Sequence, residues 1–398
     1  MASNNHSHEL KLNKFEAPQG LKTASFAFIF IGLITFVLGY AKNPERLWTS
    51  YLTSFFFFAS ITACAMFFIA FNYAAKAGWS ISIRRFAEAT VSFMPVMLLS
   101  SFVLILGFKY LYVWADPAKL PLLSGGKSLY LAPWFVITRF LIFGLGCLAF
   151  RQIIVGNSLK QDKTGDHELT YKNIAYSVGF IGFFAIFFSL FALDLLMSLL
   201  PTWYSTIFGI YLFSGGIQAF MAVLAIMVVW LKNSKWISGY VNIEHQHDVA
   251  KFLKGFTVFW AYIAFSQFML IWYANIPEET EFYIMRSLNG WMSVSFALLI
   301  FRFIVPFMVL LPRGAKRNDS ILVGTSILVL VMHYLDIYWL VYPNFFDGIP
   351  QFNFWEIGMF LGFLGLFLMT MIKFFTKNNM VAINDPRMHE ALNHHVTY

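Results

Sequence analysis

Ten times along its 398 residues the chain runs through about twenty consecutive apolar residues, the length an α-helix needs to cross a hydrocarbon layer at 1.5 Å per residue. The runs fall at 22–40, 51–74, 87–108, 131–153, 173–200, 205–231, 251–274, 288–311, 320–341 and 355–376. In lipid every backbone amide must find its partner inside the segment, so each run is expected to be a helix. Composition agrees: 59% of residues are hydrophobic and 12% charged, with mean hydropathy +0.66, where soluble domains carry about a quarter charged residues. The expected fold is an all-α polytopic membrane protein of ten spans.

The net charge of +8 is better answered by loops facing an anionic bilayer than by nucleic acid. Number the connections from the N-terminal tail, so that both tails fall in the odd set. The odd connections then carry 20 of the 28 Lys and Arg residues, the even ones 6, and Arg139 and Arg302 lie inside spans. Basic residues stay in the cytoplasm, so both termini are expected there. Residues 1–21 and 377–398 are read as cytoplasmic tails, and no cleavable signal pattern precedes the first span. Cys64 and Cys147 lie in apolar runs, in neither a CxxC nor a haem-attachment pattern.

The fifth and ninth spans end alike, LDLLMSLLP at 193–201 and LDIYWLVYP at 335–343, with Asp194 and Asp336 each seven residues before a proline. The spans before them share an Arg-Phe pair, Arg139-Phe140 and Arg302-Phe303. WTS at 48–50 has its counterpart in WYS at 203–205, and WSIS at 79–82 in WIS at 236–238. These matches keep their order, so 48–201 and 203–343 read as two copies of a four-helix bundle. Both copies enter the membrane from the same side, making the repeat parallel, with spans one (22–40) and ten (355–376) peripheral.

Charges deep in a span are expensive, at least about 2.5–3.5 kcal/mol on insertion scales, and call for partners. Arg139 falls level with Asp194, and that couple is expected to pair; the partner of Arg302 is not evident from the sequence. His333 and Asp336, three residues apart, share one helix face. Imidazole titrates near neutral pH, so this pair suits proton acceptance from a substrate hydroxyl. Asp194, Tyr204, His333 and Asp336 are the candidates for one polar pocket, a substrate or proton site, with Arg139, Arg302 and Gln267 in support. Glu88 near the inner end of span three is a candidate for proton intake. Glu278 and Glu279, in NIPEETE at 275–281, are candidates for proton release or docking. Each of these residues also has a plainer reading, as an interhelical clamp or a solvated charge. Of nine histidines only His333 lies in a span, which excludes a bis-histidine haem within the bilayer. No metal is expected, and any electrons must pass to another polypeptide.

FSQFMLIWYANIPEET at 265–280 resembles the quinol-interacting membrane subunits of bacterial alternative complex III, of the NrfD-like (polysulfide reductase membrane subunit) family. DLLMSLLPTWYSTIFGIYLFSGG at 194–216 is similar to the second of the two such subunits. Tyr204 stands where the first subunit's pattern has histidine. The resemblance covers essentially the whole chain and implies two four-helix bundles. It also implies menaquinol or ubiquinol as the substrate class and lipids around the chain. The implied partners are a paralogous NrfD-like subunit, an iron–sulfur subunit, c-type cytochromes and a terminal oxidase. Three functions are open on this reading: a quinone-pocket subunit of a quinol:electron-acceptor oxidoreductase, a proton-conducting or scaffolding subunit, and an ion-coupled transporter. The last needs a span broken at midplane, for which Gly215-Gly216 and Pro95 are the candidates.

Overall fold

The computed structural model describes residues 10–123, 126–346 and 348–395. The first nine residues of the expected N-terminal tail and the last three of the C-terminal tail lie outside these. Among the described residues ten helices are long and apolar enough to cross a membrane: α1 (Gln19–Lys42), α2 (Pro44–Ala74), α3 (Gly78–Leu106), α4 (Pro133–Thr164), α5 (Glu168–Leu199), α6 (Phe208–Lys232), α7 (Ile243–Ala274), α8 (Trp291–Val309), α9 (Asp319–Asn344) and α10 (Phe354–Lys377). The chain is an all-α polytopic membrane protein, with one two-residue ladder pairing Lys11–Leu12 antiparallel to Ile237–Ser238.

Several helices extend beyond their apolar runs, α4 and α7 among them. α4 continues to Thr164, where Gly165 at φ +68° ends it. α7 begins eight residues early, because the Asn242 side chain accepts the amides of Glu244 and His245 and caps a polar first turn.

In the first quartet α2 lies against α3 and α5, and α4 closes on both; in the second, α6 lies against α7 and α9, and α8 closes on both. The quartets meet along α2, α5, α6 and α9, so α2 and α6 are buried almost throughout. α2 can be buried because its hydroxyls satisfy themselves. Thr49, Ser50, Thr53 and Thr62 each donate to the carbonyl four residues back, at 2.8–2.9 Å.

α1 packs mainly on α10, where Gly32 meets Gly362 so closely that a Cβ on Gly32 would stand 2.4 Å from the Gly362 Cα. Backbones approach this way where small residues line both helices. Large apolar side chains on the outward faces, such as Phe26, Phe30 and Leu33 of α1, are left for lipid.

Two spans depart from regular α-helix. α3 is interrupted at Ser92–Phe93 and resumes before Pro95. α8 contains a π-helical segment, Leu298–Ile304, just ahead of Pro306. α6 runs unbroken through Gly215-Gly216, so the midplane break sought there is not present. Beyond α10 the chain turns back across the helix ends. Asp385 pairs with Arg84 of α3 at 2.8 Å, Asn384 donates to the Asp162 carbonyl of α4 at 2.9 Å, and His394 Nε2 stands 2.6 Å from Asp248 of α7.

Candidate functional site

Each quartet holds one arginine–aspartate pair across its third and fourth helices. In the first, Arg139 of α4 grips Asp194 of α5 through two parallel bonds, Nε to Oδ2 and Nη2 to Oδ1, both 2.8 Å. Arg139 also donates to the Tyr130 carbonyl at 2.9 Å and lies 4.0 Å over that ring. Tyr130 precedes the span, and burial, with Asp194 beside it, pushes its hydroxyl up to about 12. It therefore stays protonated and adds a donor to the carboxylate. This pair is closed and bidentate, as expected of a clamp, with Arg139 Nη1 buried and without a hydrogen-bond partner.

The second pair is Arg302 of α8 with Asp336 of α9, both within 1% of full burial. Its local origin is legible in α8. Pro306 has no N–H to offer the Arg302 carbonyl four residues back, and the π-helical turn spreads the backbone there. Gln218 of α6 occupies the gap, with Nε2 3.4 Å from the Arg302 carbonyl and Oε1 accepting Arg302 Nε at 3.0 Å. Trp260 of α7 lies under the guanidinium at 4.4 Å. On the carboxylate, Oδ1 of Asp336 also accepts the Tyr211 hydroxyl of α6.

Arg302 has a third acceptor, Nδ1 of His333, at 2.9 Å from Nη2. A guanidinium can only donate, so Nδ1 offers its lone pair and the ring proton sits on Nε2. Nε2 faces Ser60 Oγ of α2 at 3.2 Å, and Ser60 in turn donates to the Phe57 carbonyl at 3.0 Å. A continuous polar path thus runs Tyr211–Asp336–Arg302–His333–Ser60, through α6, α9, α8 and α2. Gly215 makes room for it, since a Cβ there would stand 2.7 Å from Arg302 Nη2.

His333 and Asp336 share one cluster, but the imidazole faces the arginine and not the carboxylate. Asp194 belongs to the other pair. Tyr204 is exposed, 56% open, with the Lys127 ammonium 5.4 Å from its ring, and takes part in neither. Gln267 is buried and reaches Tyr283 at 3.4 Å. Glu88 is buried near the other end of its quartet, held by Arg85 and by Ser158 Oγ at 2.8 Å, with Arg84 Nε 3.6 Å away. Arg85 also bonds Asp162 at 2.7 Å, which ties Glu88 into an ion network. Glu278 is exposed and Glu279 partly so, both in the first turn of the helix Pro277–Met285, where the helix dipole favours acids.

Tyr211, Gln218 and Ser60 were not singled out from the sequence. The signal was present: Tyr211, Gly215 and Gln218 fall at i, i+4 and i+7, one polar stripe on an otherwise apolar helix. Comparison with models of known families finds no match, and neither does comparison with curated proteins.

Proposed function

We propose that this chain is an integral subunit of a membrane-bound respiratory quinol:electron-acceptor oxidoreductase of the alternative complex III type. In this reading its Tyr211–Asp336–Arg302–His333 cluster carries protons while electrons leave through partner polypeptides. The observation that supports it best is the cluster itself, a line of ionisable and hydroxylic groups buried deep among four spans. Groups of this kind inside a bilayer mark ion and proton pathways.

The geometry suggests how a proton would move. If Arg302 withdraws from Nδ1, the imidazole gains a free lone pair while its Nε2–H already points at Ser60. One nitrogen then accepts as the other donates, a two-ended relay. Arg302 keeps Asp336 as partner throughout, so the carboxylate is not left alone in the apolar interior. Arg139–Asp194 serves as the structural twin.

The partners in this reading are a paralogous NrfD-like subunit, an iron–sulfur subunit and c-type cytochromes, in a bacterial cytoplasmic membrane with both termini inside. Affinity purification of the tagged chain from its native membranes tests it. The expected result is co-purification of c-type haem and iron–sulfur polypeptides with quinol-dependent reduction of cytochrome c. A chain that purifies without any redox partner would sink the proposal.

A further inference from the structure

The N-terminal half of α7 carries a feature that the Arg302 cluster does not use. Asp248, Lys251, Phe252, Gly255, Phe256 and Phe259 recur at i, i+3, i+4, i+7, i+8 and i+11, one continuous stripe of the helix. With Trp79 of α3 they line an open groove of about 400 Å³. Its polar lining, Asp248 and Lys251, is confined to one end, and from Lys251 to Phe259 it runs about 12 Å along α7 at the helical rise. The room lies over Gly255, where an added Cβ would meet no atom within 4 Å. Trp79 stacks on Phe252, with centroids 5.7 Å apart and planes 12° from parallel, and walls the charged end.

That end faces an excess of cations. Lys232, Lys251, Lys254, Lys316 and Arg317 stand against Glu244, Asp248 and Asp319. The acids are engaged: Glu244 by Arg317, Asp319 by Lys232 at 2.8 Å, and Asp248 by Lys251 and by His394 Nε2, both at 2.6 Å. Lys316 Nζ donates to the carbonyls of Leu310, Leu311 and Pro312, just past α8, at 2.9–3.0 Å. Burial, and then the ammonium groups of Lys254 and Lys251, push Lys316 below the ordinary lysine range, so these three cations lie in one another's field. Such an arrangement falls in energy when an anion joins it. The same cations belong to the basic set of connections expected to face the cytoplasm.

We propose that this groove seats one anionic phospholipid of the adjoining leaflet. Its phosphate lies against the ammonium groups of Lys251 and Lys254, and the upper part of one acyl chain passes over Gly255 along Phe256 and Phe259. Lysine stems lie along apolar surface while their heads reach the interface, the level at which tryptophan also settles. Basic pockets at the cytoplasmic ends of spans take anionic head groups for this reason. A zwitterionic head brings its own cation and gains less from the excess charge. The site stands apart from the quinol reading and does not depend on it.

The test is native mass spectrometry of the purified full-length protein, delipidated in detergent and titrated with phosphatidylglycerol or phosphatidylcholine of identical acyl chains. One phosphatidylglycerol should bind about tenfold more tightly than phosphatidylcholine, and Lys251→Gln/Lys254→Gln should abolish that preference. Lys251 also serves Asp248, so Lys254→Gln alone is the second charge variant should the double variant unfold. Gly255→Trp, which fills the groove, should weaken both lipids, and thermal unfolding checks the fold of each variant. Equal binding of the two lipids overturns the proposal, as does phosphatidylglycerol binding unchanged in folded Lys254→Gln and Gly255→Trp. Displacement by inorganic phosphate as effective as by phosphatidylglycerol overturns it too, leaving an anion site without a lipid. A benzophenone side chain placed at Phe259 should crosslink to lipid in native membranes; crosslinking to a polypeptide instead would make this face a subunit interface and overturn the lipid assignment.

Discussion

Arg302 Nη2 stands 2.9 Å from Nδ1 of His333, so the histidine of α9 faces a cation and not the aspartate three residues away. That contact fixes the neutral tautomer and makes Arg302 the hinge of the cluster. Its guanidinium serves Asp336, Gln218 and His333 at once.

Removing one member of this buried pair should be far worse than removing both. Arg302→Met leaves the Asp336 carboxylate buried without its cation, beside Tyr211 and Trp260, an expected loss of about 3–5 kcal/mol. The double variant Arg302→Met/Asp336→Leu should recover most of it. Thermal unfolding of the purified variants decides; a double variant no more stable than the single contradicts the pairing.

Asp336→Asn and Asp194→Asn should both destabilise, because each leaves an arginine without its carboxylate. On the relay reading only Asp336→Asn should lower the number of protons released per electron, since Asp336 shares its arginine with His333 while Asp194 adjoins only the Tyr130 hydroxyl. An equal fall in both variants, measured with a pH indicator during quinol turnover, would remove the distinction between relay and clamp.

Gly215→Ala inserts a methyl 2.7 Å from Arg302 Nη2 and 3.5 Å from the imidazole. We expect proton coupling to fall while the protein remains folded, with an overpacking cost of about 1–3 kcal/mol. Unchanged coupling with unchanged melting would mean the cluster has slack that the distances do not show.

At the crossing of α1 and α10, Gly32→Val should prevent close approach, because even its Cβ would stand 2.4 Å from the Gly362 Cα. Gly20→Val on the same helix is the control, with no atom within 4 Å of its Cβ. Protease resistance of the membrane-embedded chain should fall in the first variant and hold in the second.

The 20-to-6 distribution of basic residues predicts which loops face the cytoplasm. Cys64 and Cys147 are both buried, so engineered thiols report alone. A membrane-impermeant maleimide should label Glu278→Cys on intact cells and Lys163→Cys only after lysis. The reverse pattern would invert the topology.

Most of the architecture was legible because hydropathy is additive along the chain: every expected span coincides with a helix of the structure. The Arg139–Asp194 couple was legible too, since two charges at one depth on consecutive spans have few other solutions. What the sequence withheld was facing. His333 and Asp336 share a face, and that suggested a mutual pair; the wedge between them comes from α8, and its reach depends on the π-turn and Pro306. Tyr204 looked equivalent to a functional position but lies before the first residue of α6, exposed, while Tyr211 on the buried stripe meets Asp336. Helix rotation is set by neighbours, and no single apolar run contains that information.

The pairing of α1 with α10 has a consequence for how the protein is made. α1 finds its main partner in α10, after residues 43–353 between them have been synthesised, which takes roughly 15–60 s at about 5–20 residues per second. Through that interval the Gly32 face of α1 has only lipid or a chaperone against it. The α1–α10 seam therefore closes only once both quartets between them have been made.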